Sequence, residues 1–355
     1  QRDLDESARQ WVSFGATVQD VADTWTGLVA QRMLAIASRD LATVETSLVE
    51  LAVRHRDAVM LGRTHGQPGL PITFGFKASV WIAEVRRHRA RIESARPRLE
   101  VGQLAGAVGT LSAWGSAGPK LQRRVLSRLG LGVPDIAWLT ARDRVAELVG
   151  LLALITGTLA KIGNEVYNLQ RPEIGELREP ATEGVVGSIT MPQKRNPERS
   201  EHLSTLARVV RADAGLALEG LVSEHERDGA AWKTEWSLLP RGCGAAAAAL
   251  ALATRLAAGL QVDEQRMREN LEAQRGYVLA EPAMLALGAD VGPRRAHELI
   301  HAAAARGHEA GVTLRDALAS DPDIAAHLPA DRLDAALRPE NALGAAHDLV
   351  DRILG

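Results

Sequence analysis

The chain has 355 residues, enough to bury a large core in one to three domains. Its 42 Lys and Arg against 44 Asp and Glu leave a net charge of −2, so no electrostatic footprint for nucleic acid exists. One cysteine, Cys243, excludes an internal disulfide framework and any multi-cysteine zinc site. Aromatic residues make up 3%, and Ala, Leu and Val supply most of the apolar fraction. Small and unbranched side chains lose little freedom in a helix, so the composition favours helix over sheet. No signal-peptide pattern is seen and no uninterrupted run of 18 apolar residues suggests a membrane span, so a soluble cytoplasmic protein is expected.

Taken in chain order, prolines divide the sequence into a few long blocks. None falls in Gln1–Gln67, Asp135–Arg171, Glu198–Leu239 or Arg241–Glu281. Blocks of that length leave room for helices well beyond the usual ~11–12 residues. Leu41, Val44, Leu48 and Leu51 follow the spacing of one helical face. Val145–Leu169 is apolar nearly all round, which predicts burial on every side, within the chain or between subunits. Ala245–Ala253 holds only Ala and Leu, which lets helices approach closely. Strand signals are weak throughout. From about Gln261 the punctuation becomes denser, at Gly292-Pro293, Asp321-Pro322, Pro329 and Pro339. The expected architecture is all-α. Residues 15–260 form a central bundle of long helices, 261–355 a small C-terminal helical domain, and 1–14 a remnant of an N-terminal domain.

Three segments could carry chemistry. Gly187-Ser188-Ile189-Thr190-Met191-Pro192-Gln193-Lys194-Arg195-Asn196-Pro197 leads into a helix beginning near Glu198. A cation, an amide donor and a helix N-terminus together make a receptor for a carboxylate, although an ordinary inter-helix loop has the same composition. Gly62-Arg63-Thr64-His65-Gly66-Gln67-Pro68 reads as a turn between two long helices. One histidine of ten is more often a surface residue than a catalyst, but His65 sits beside Thr64 and Gln67. Gly15-Ala16-Thr17-Val18-Gln19-Asp20 precedes a helix starting near Val21, and its plainer reading is an N-cap.

Together these segments resemble the fumarase/aspartase superfamily. Gly-Ser-x-x-Met-Pro-x-Lys-x-Asn-Pro is similar to its signature, and Arg-Thr-His-Gly-Gln and Gly-Ala-Thr-x-Gln-Asp to its two other active-site regions, in the expected order. The resemblance implies a lyase or cycloisomerase that needs no cofactor and no metal. It implies Ser188 as general base, His65 as general acid and Glu201 as the carboxylate paired with that histidine. Lys194, Asn196 and Thr17 are implied as carboxylate contacts, with Thr64, Gln67, Trp138, Arg142 and Trp232 beside the substrate. Abstracting a proton next to a carboxylate creates a carbanion, which needs fixed donors where charge develops. A serine is a weak base unless its alkoxide is stabilised by Lys194 and backbone N–H groups. Members are homotetramers with active sites shared between subunits and small polycarboxylate substrates, with no nucleic acid or membrane partner. They carry a longer stretch before the Gly-Ala-Thr segment than the fourteen residues here, so a truncated N-terminal domain is expected.

Two departures argue against the adenylosuccinate lyase branch. Trp236 stands about where that branch has a phosphate-binding Arg, and Trp138 where it has a substrate-binding Gln. An indole cannot pair with a phosphate or nucleobase as Arg or Gln does. Trp138 and the His225-Glu226-Arg227, Trp232, Glu235-Trp236 pattern look like the 3-carboxy-cis,cis-muconate cycloisomerase branch. Lys233 and Thr234 differ from that branch, and Glu201 is closer to the lyases. A lyase releasing fumarate from a substituted succinate, as nitrosuccinate lyase does, therefore stands beside the cycloisomerase. Val18 replaces a usual Ser or Thr, which leaves one carboxylate contact unassigned.

Two distant readings remain. His297-Glu298-Leu299-Ile300-His301 fits the H-E-x-x-H zinc-peptidase pattern, with His308 downstream, but the third-ligand spacing is one residue too long. A non-catalytic structural homologue is opposed by the presence of Ser188, His65, Lys194, Asn196 and Glu201.

Overall fold

The computed structural model describes residues 4–181, 190, 191 and 193–355. Fourteen α-helices and four short strands appear among them. The helices are α1 Glu6–Arg9, α2 Val18–Arg54, α3 Phe74–Leu99, α4 Gly118–Arg128, α5 Asp143–Leu169, α6 Glu198–Glu219 and α7 Gly229–Gly259. Shorter ones follow, α8 Glu264–Glu272, α9 Ala280–Val291, α10 Pro293–Glu309, α11 Leu314–Ala319, α12 Pro322–Ala325, α13 Ala330–Ala336 and α14 Ala346–Leu354. The strands are β1 Val59–Thr64, β2 Gln67–Thr73, β3 Leu177–Arg178 and β4 Gln261–Val262, paired β1 with β2 and β3 with β4, both antiparallel.

The mainly helical architecture follows the proline map with two exceptions, of which the first, Pro97, falls in the last turn of α3. The second, Pro240, lies inside the 31-residue α7 rather than between helices. It is exposed, so the carbonyl four residues earlier, deprived of its partner, can turn to water. Small residues follow at Gly242, Gly244 and Ala245–Ala249, and leave the helix free to continue. Both β pairs were missed by the sequence reading. In β2, Pro68 and Pro71 break the alternating pattern, and only a two-stranded ribbon, both of whose strands are edges, tolerates them.

The chain divides into two compact units. The first holds the described residues within 1–44, 84–165 and 187–257, and the second those within 45–83, 166–186 and 258–355. In the first, Leu34, Leu41 and Val44 of α2 are buried, as are Val85 and Ile92 of α3 and Leu148, Val149, Leu152 and Ile155 of α5. Gly163 lets α5 approach α6, since a Cβ there would lie 3.1 Å from Leu203 and 3.3 Å from the backbone of Ser200. In the second, Leu287, Ile300, Leu314, Leu318, Ile324 and Leu333 from α9 to α13 form one apolar cluster.

Two described helices, α5 and α7, are long and apolar enough to cross a membrane by length and composition alone. Their most apolar 18-residue windows are 56% and 50% buried inside the chain. Helix α5 is not buried on every side within one chain, because Leu154 remains 57% exposed while Leu152 is 0% exposed. Leu152→Ala is expected to lower the unfolding free energy by about 2–5 kcal/mol, through lost burial plus a cavity. Urea denaturation of the variant checks this, and a loss under about 1 kcal/mol would mean the helix repacks freely.

Candidate active site

The second unit carries His65, Thr64 and Gln67 on a β-hairpin rather than in an open turn. Thr64 pairs with Gln67, leaving a two-residue loop of His65 at φ 53° and Gly66 at φ 75°. Two consecutive positive φ values define the type I′ turn that matches the twist of a hairpin. Histidine is among the few non-glycine residues that enter this region with some frequency, and Gly66 enters it without strain. The stem is buried at Met60 and Leu61, whereas Thr64, His65 and Gln67 are exposed at the tip. The fold therefore presents the imidazole at the end of a ribbon whose base lies in the core.

In the first unit, Thr17 immediately precedes α2 and is half-buried. The carboxylate of Asp20 accepts the Thr17 N–H at 2.9 Å, closing the helix start. It also accepts the N–H groups of Ala105 at 2.8 Å and Gly106 at 3.0 Å. One buried carboxylate thus ties the Thr17 segment to the loop after α3. Gln19, 0% exposed, donates its amide to the Leu139 carbonyl at 2.7 Å. Neither Asp20 nor Gln19 was singled out from sequence; the signal available was the Thr-x-x-Asp spacing of a helix start. Val18 is 74% exposed.

Trp138 and Arg142 lie inside the first unit. Trp138 is 2% exposed, donates its indole N–H to the Gly102 carbonyl at 3.0 Å, and is faced by the Arg142 and Arg144 guanidinium groups at 5.1 and 5.4 Å. Arg142 donates to Asp23 at 3.0 and 3.1 Å, to Glu235 at 2.7 Å and again through its Nη2, and to the Trp138 carbonyl at 3.3 Å. All three charged side chains are buried. Burial opposes the Arg142 charge, but Glu235 and Asp23 outweigh it and hold its pKa above the ordinary value. For Asp23 burial wins, and with the Glu235 charge it pushes the carboxyl up to about 6 against the pull of Arg142. The triad joins the beginnings of α2, α5 and α7. Trp232, in the first turn of α7, is half-buried and meets Trp236 edge-on at 5.0 Å.

Lys194 is exposed and Asn196 half-buried in the stretch entering α6, and Lys194 closes a turn by donating its N–H to Met191 at 2.9 Å. Pro197 caps α6 without a side-chain hydrogen bond. Glu198 and Glu201 occupy the first turn, where carboxylates offset the positive end of the helix. Glu201 is exposed. Ser188 lies outside the described residues. Thr17, Lys194, Asn196, Glu201, Trp138, Arg142 and Trp232 thus belong to the first unit, and Thr64, His65 and Gln67 to the second.

Two other groups are set aside by their surroundings. Burial, with a smaller contribution from the Asp213 charge, pushes the Cys243 thiol up to about 11, which makes it a poor nucleophile. In the H-E-x-x-H segment, Glu298 faces Arg294 at 3.3 Å and Arg295 at 3.8 Å, and the His297 and His301 rings stack at 5.9 Å. No group of three or more metal-ligating side chains occurs among the described residues.

Comparison with known proteins shows the family of the chain. The family described as Lyase matches residues 4–212, and the Adenylosuccinate lyase C-terminus family matches residues 276–353. The N-acetyl-S-(2-succino)cysteine lyase of Dickeya dadantii is 42% identical over 98% of this chain and 76% of its own length. The 3-carboxy-cis,cis-muconate cycloisomerase of Pseudomonas aeruginosa is 39% identical over 99% of this chain and 76% of its own length. The crystal structure of a fumarate lyase from Mesorhizobium sp. BNC1 superposes with a TM-score of 0.92 at 39% identity, covering 98% of this chain and 79% of that one. The chain belongs to the lyase family, within the fumarase/aspartase superfamily. Inside it, the succinocysteine lyases and carboxymuconate cycloisomerases are nearer than the adenylosuccinate lyases. Helices α5 and α7 are accordingly core helices of a soluble enzyme family.

The Asp23 shift has a consequence for stability. In the folded chain Asp23 keeps its proton to about pH 6, while unfolded it ionises near the ordinary 3.8. Its contribution is therefore fully present below the lower value, falls as pH rises between the two, and is gone above the upper. Asp23→Asn removes the titrating group and is expected to flatten that part of the profile. Urea midpoints of both proteins across this pH window check it; parallel profiles would show that Asp23 titrates normally.

Proposed function

We propose that this enzyme eliminates fumarate from a succinyl adduct by anti β-elimination. The observation that carries the reading is the presentation of His65 at the tip of a type I′ hairpin, in a chain that also places Thr17 at one helix start and Lys194 and Asn196 before another. In the proposed reaction Ser188, as alkoxide, takes a proton from the carbon next to one carboxylate. The electron pair forms the double bond, the bond to the heteroatom of the adduct breaks, and His65 gives its proton to that atom. Thr17, Lys194 and Asn196 hold the carboxylates on which charge builds, because fixed donors there stabilise the transition state. Glu201 orients the imidazole, while Thr64 and Gln67 flank it. Trp232 limits the space beside the substrate. Trp138 and Arg142 act from behind it, by holding the helix starts that carry Thr17 and Trp232. Similarity to the N-acetyl-S-(2-succino)cysteine lyase favours a thioether adduct with a small thiol leaving group.

The second reading is 3-carboxymuconate cycloisomerisation, supported by the Trp232 and Trp236 pair and by the Pseudomonas aeruginosa relative. Both readings need a soluble cytoplasmic homotetramer in which several chains complete each site.

Ser188→Ala and His65→Asn are each expected to lower kcat by at least ~100-fold, the scale of a lost general base or acid. Asparagine tolerates positive φ, so the hairpin tip survives the second change. Turnover is read from fumarate formation on S-succinyl and other substituted succinates, and from lactone formation on 3-carboxymuconate. Near-normal rates in either variant would sink the assigned roles. Lactone without fumarate would replace the lyase by the cycloisomerase.

A further inference from the structure

The hairpin that carries His65 is poorly equipped to hold itself. A two-stranded ribbon is marginal in water even with a full ladder. This one has Pro68 and Pro71 in β2, each lacking an N–H, and its register shifts between Leu61 and Arg63. Rigidity at the tip has to come from a side chain near it.

Arg63 supplies that tie, two residues before His65. Its Nη1 donates to one oxygen of Glu176 at 2.8 Å and its Nη2 to the other at 2.7 Å, the fork-on-fork geometry that fixes orientation as well as distance. The Glu176 side chain is 0% exposed. The Asn270 amide donates to the same carboxylate at 2.8 Å and to the Ile174 carbonyl at 2.8 Å. The anchor is also fixed through its backbone. Glu176 donates its N–H to the Leu169 carbonyl at 2.9 Å, and its own carbonyl accepts the Asp263 N–H at 3.0 Å. Arg266 adds a hydrogen bond to the Ile174 carbonyl at 2.9 Å. Glu176 is therefore a buried charge held on both sides by the end of α5 and the start of α8, with Arg63 as its cationic partner.

We propose that Glu176 is a positioning residue: by clamping Arg63 it sets where the β1–β2 hairpin presents the His65 imidazole. This rests on the role given to His65 above. A buried ion pair adds little net stability over a well-packed apolar pair, so its role here is to fix geometry, which a near-attack arrangement needs.

Removing one partner alone strands a buried charge and can unfold the protein, so the informative variant is Arg63→Met/Glu176→Met, which removes both charges. We expect its thermal midpoint to stay close to that of the wild type. Hydrogen–deuterium exchange of the peptide spanning 59–73 should be at least ~10-fold faster, since a tethered ribbon opens less often. With substituted succinates, kcat should fall about 10- to 100-fold and KM by less than threefold, as expected when a reacting group is misplaced but the carboxylate contacts remain. A purely structural pair predicts that stability and kcat recover together in the double variant. Unchanged exchange, or faster exchange with an unchanged kcat, overturns the proposal. A wild-type enzyme inactive on both substrate classes would remove the reaction assigned above. The exchange comparison needs no substrate and would still decide the clamp.

Discussion

The arrangement of the first unit depends on one buried cation. Arg142 sits at the start of α5 between Asp23 of α2 and Glu235 of α7, and no member of the triad faces water to any useful extent. Burial of the Asp23 carboxyl, with the Glu235 charge added to it, outweighs the pull of Arg142, which is why the folded chain raises the Asp23 pKa instead of lowering it. Removing Arg142 would leave two buried carboxylates without their cation, at a cost of about 3–5 kcal/mol, so the three helix starts are held together through it. That convergence sets the segment before α2, the Trp138 turn before α5 and the first turn of α7, where the residues proposed to surround the substrate lie. Asp20 extends the same logic, tying the Thr17 amide to the loop at Ala105 and Gly106.

The second unit solves a related problem with a different device. There the group proposed to react, His65, stands clear of the core at the end of a thin ribbon. The turn residues fix the shape of the tip, because two successive positive φ angles leave the chain one compact way to reverse. The base of the ribbon is fixed by Met60 and Leu61 in the core, and its middle by Arg63 on Glu176. Packing, backbone geometry and charge each act on a different third of the hairpin.

Much of the fold was legible in the sequence because helices announce themselves locally. The spacing of Leu41, Val44, Leu48 and Leu51 named a buried face of α2, and all four residues are buried. The helix after Pro197 starts at Glu198, where the proline and the first-turn acids put it. The hairpin was not legible: its pairing is set by partners across the turn, and its prolines remove the alternating pattern that marks a strand. The Arg142 triad was out of reach for a related reason. Asp23 and Glu235 lie 119 and 93 residues from Arg142, and nothing local distinguishes a buried carboxylate on a polar-looking helix turn from a solvated one. Motif similarity pointed to Arg142 beside the substrate; within this chain it bonds to Asp23, Glu235 and the carbonyls just before α5. Asp20 sat in plain view, in the spacing of a helix start, and was read as part of a motif rather than as the group that closes it.

What the geometry asks for next follows from the dielectric. A carboxylate-stabilised carbanion is helped most by donors fixed in a site that excludes water, since the same hydrogen bond is stronger there and needs no reorganisation. In one chain Thr64, His65, Gln67, Lys194 and Glu201 are all exposed. The proposed chemistry therefore requires that something cover them. Bundle helices also leave large apolar side chains in water, with Leu154 of α5 57% exposed and Leu216 and Leu218 of α6 42% and 57% exposed. Burying such residues is favourable by roughly 25 cal/mol per Å², and other copies of the same bundle would bring matching apolar faces. If assembly is what dries the site, the exposed apolar residues and the exposed polar ones are two sides of one requirement. Association would then hide the first, and by doing so enclose the second.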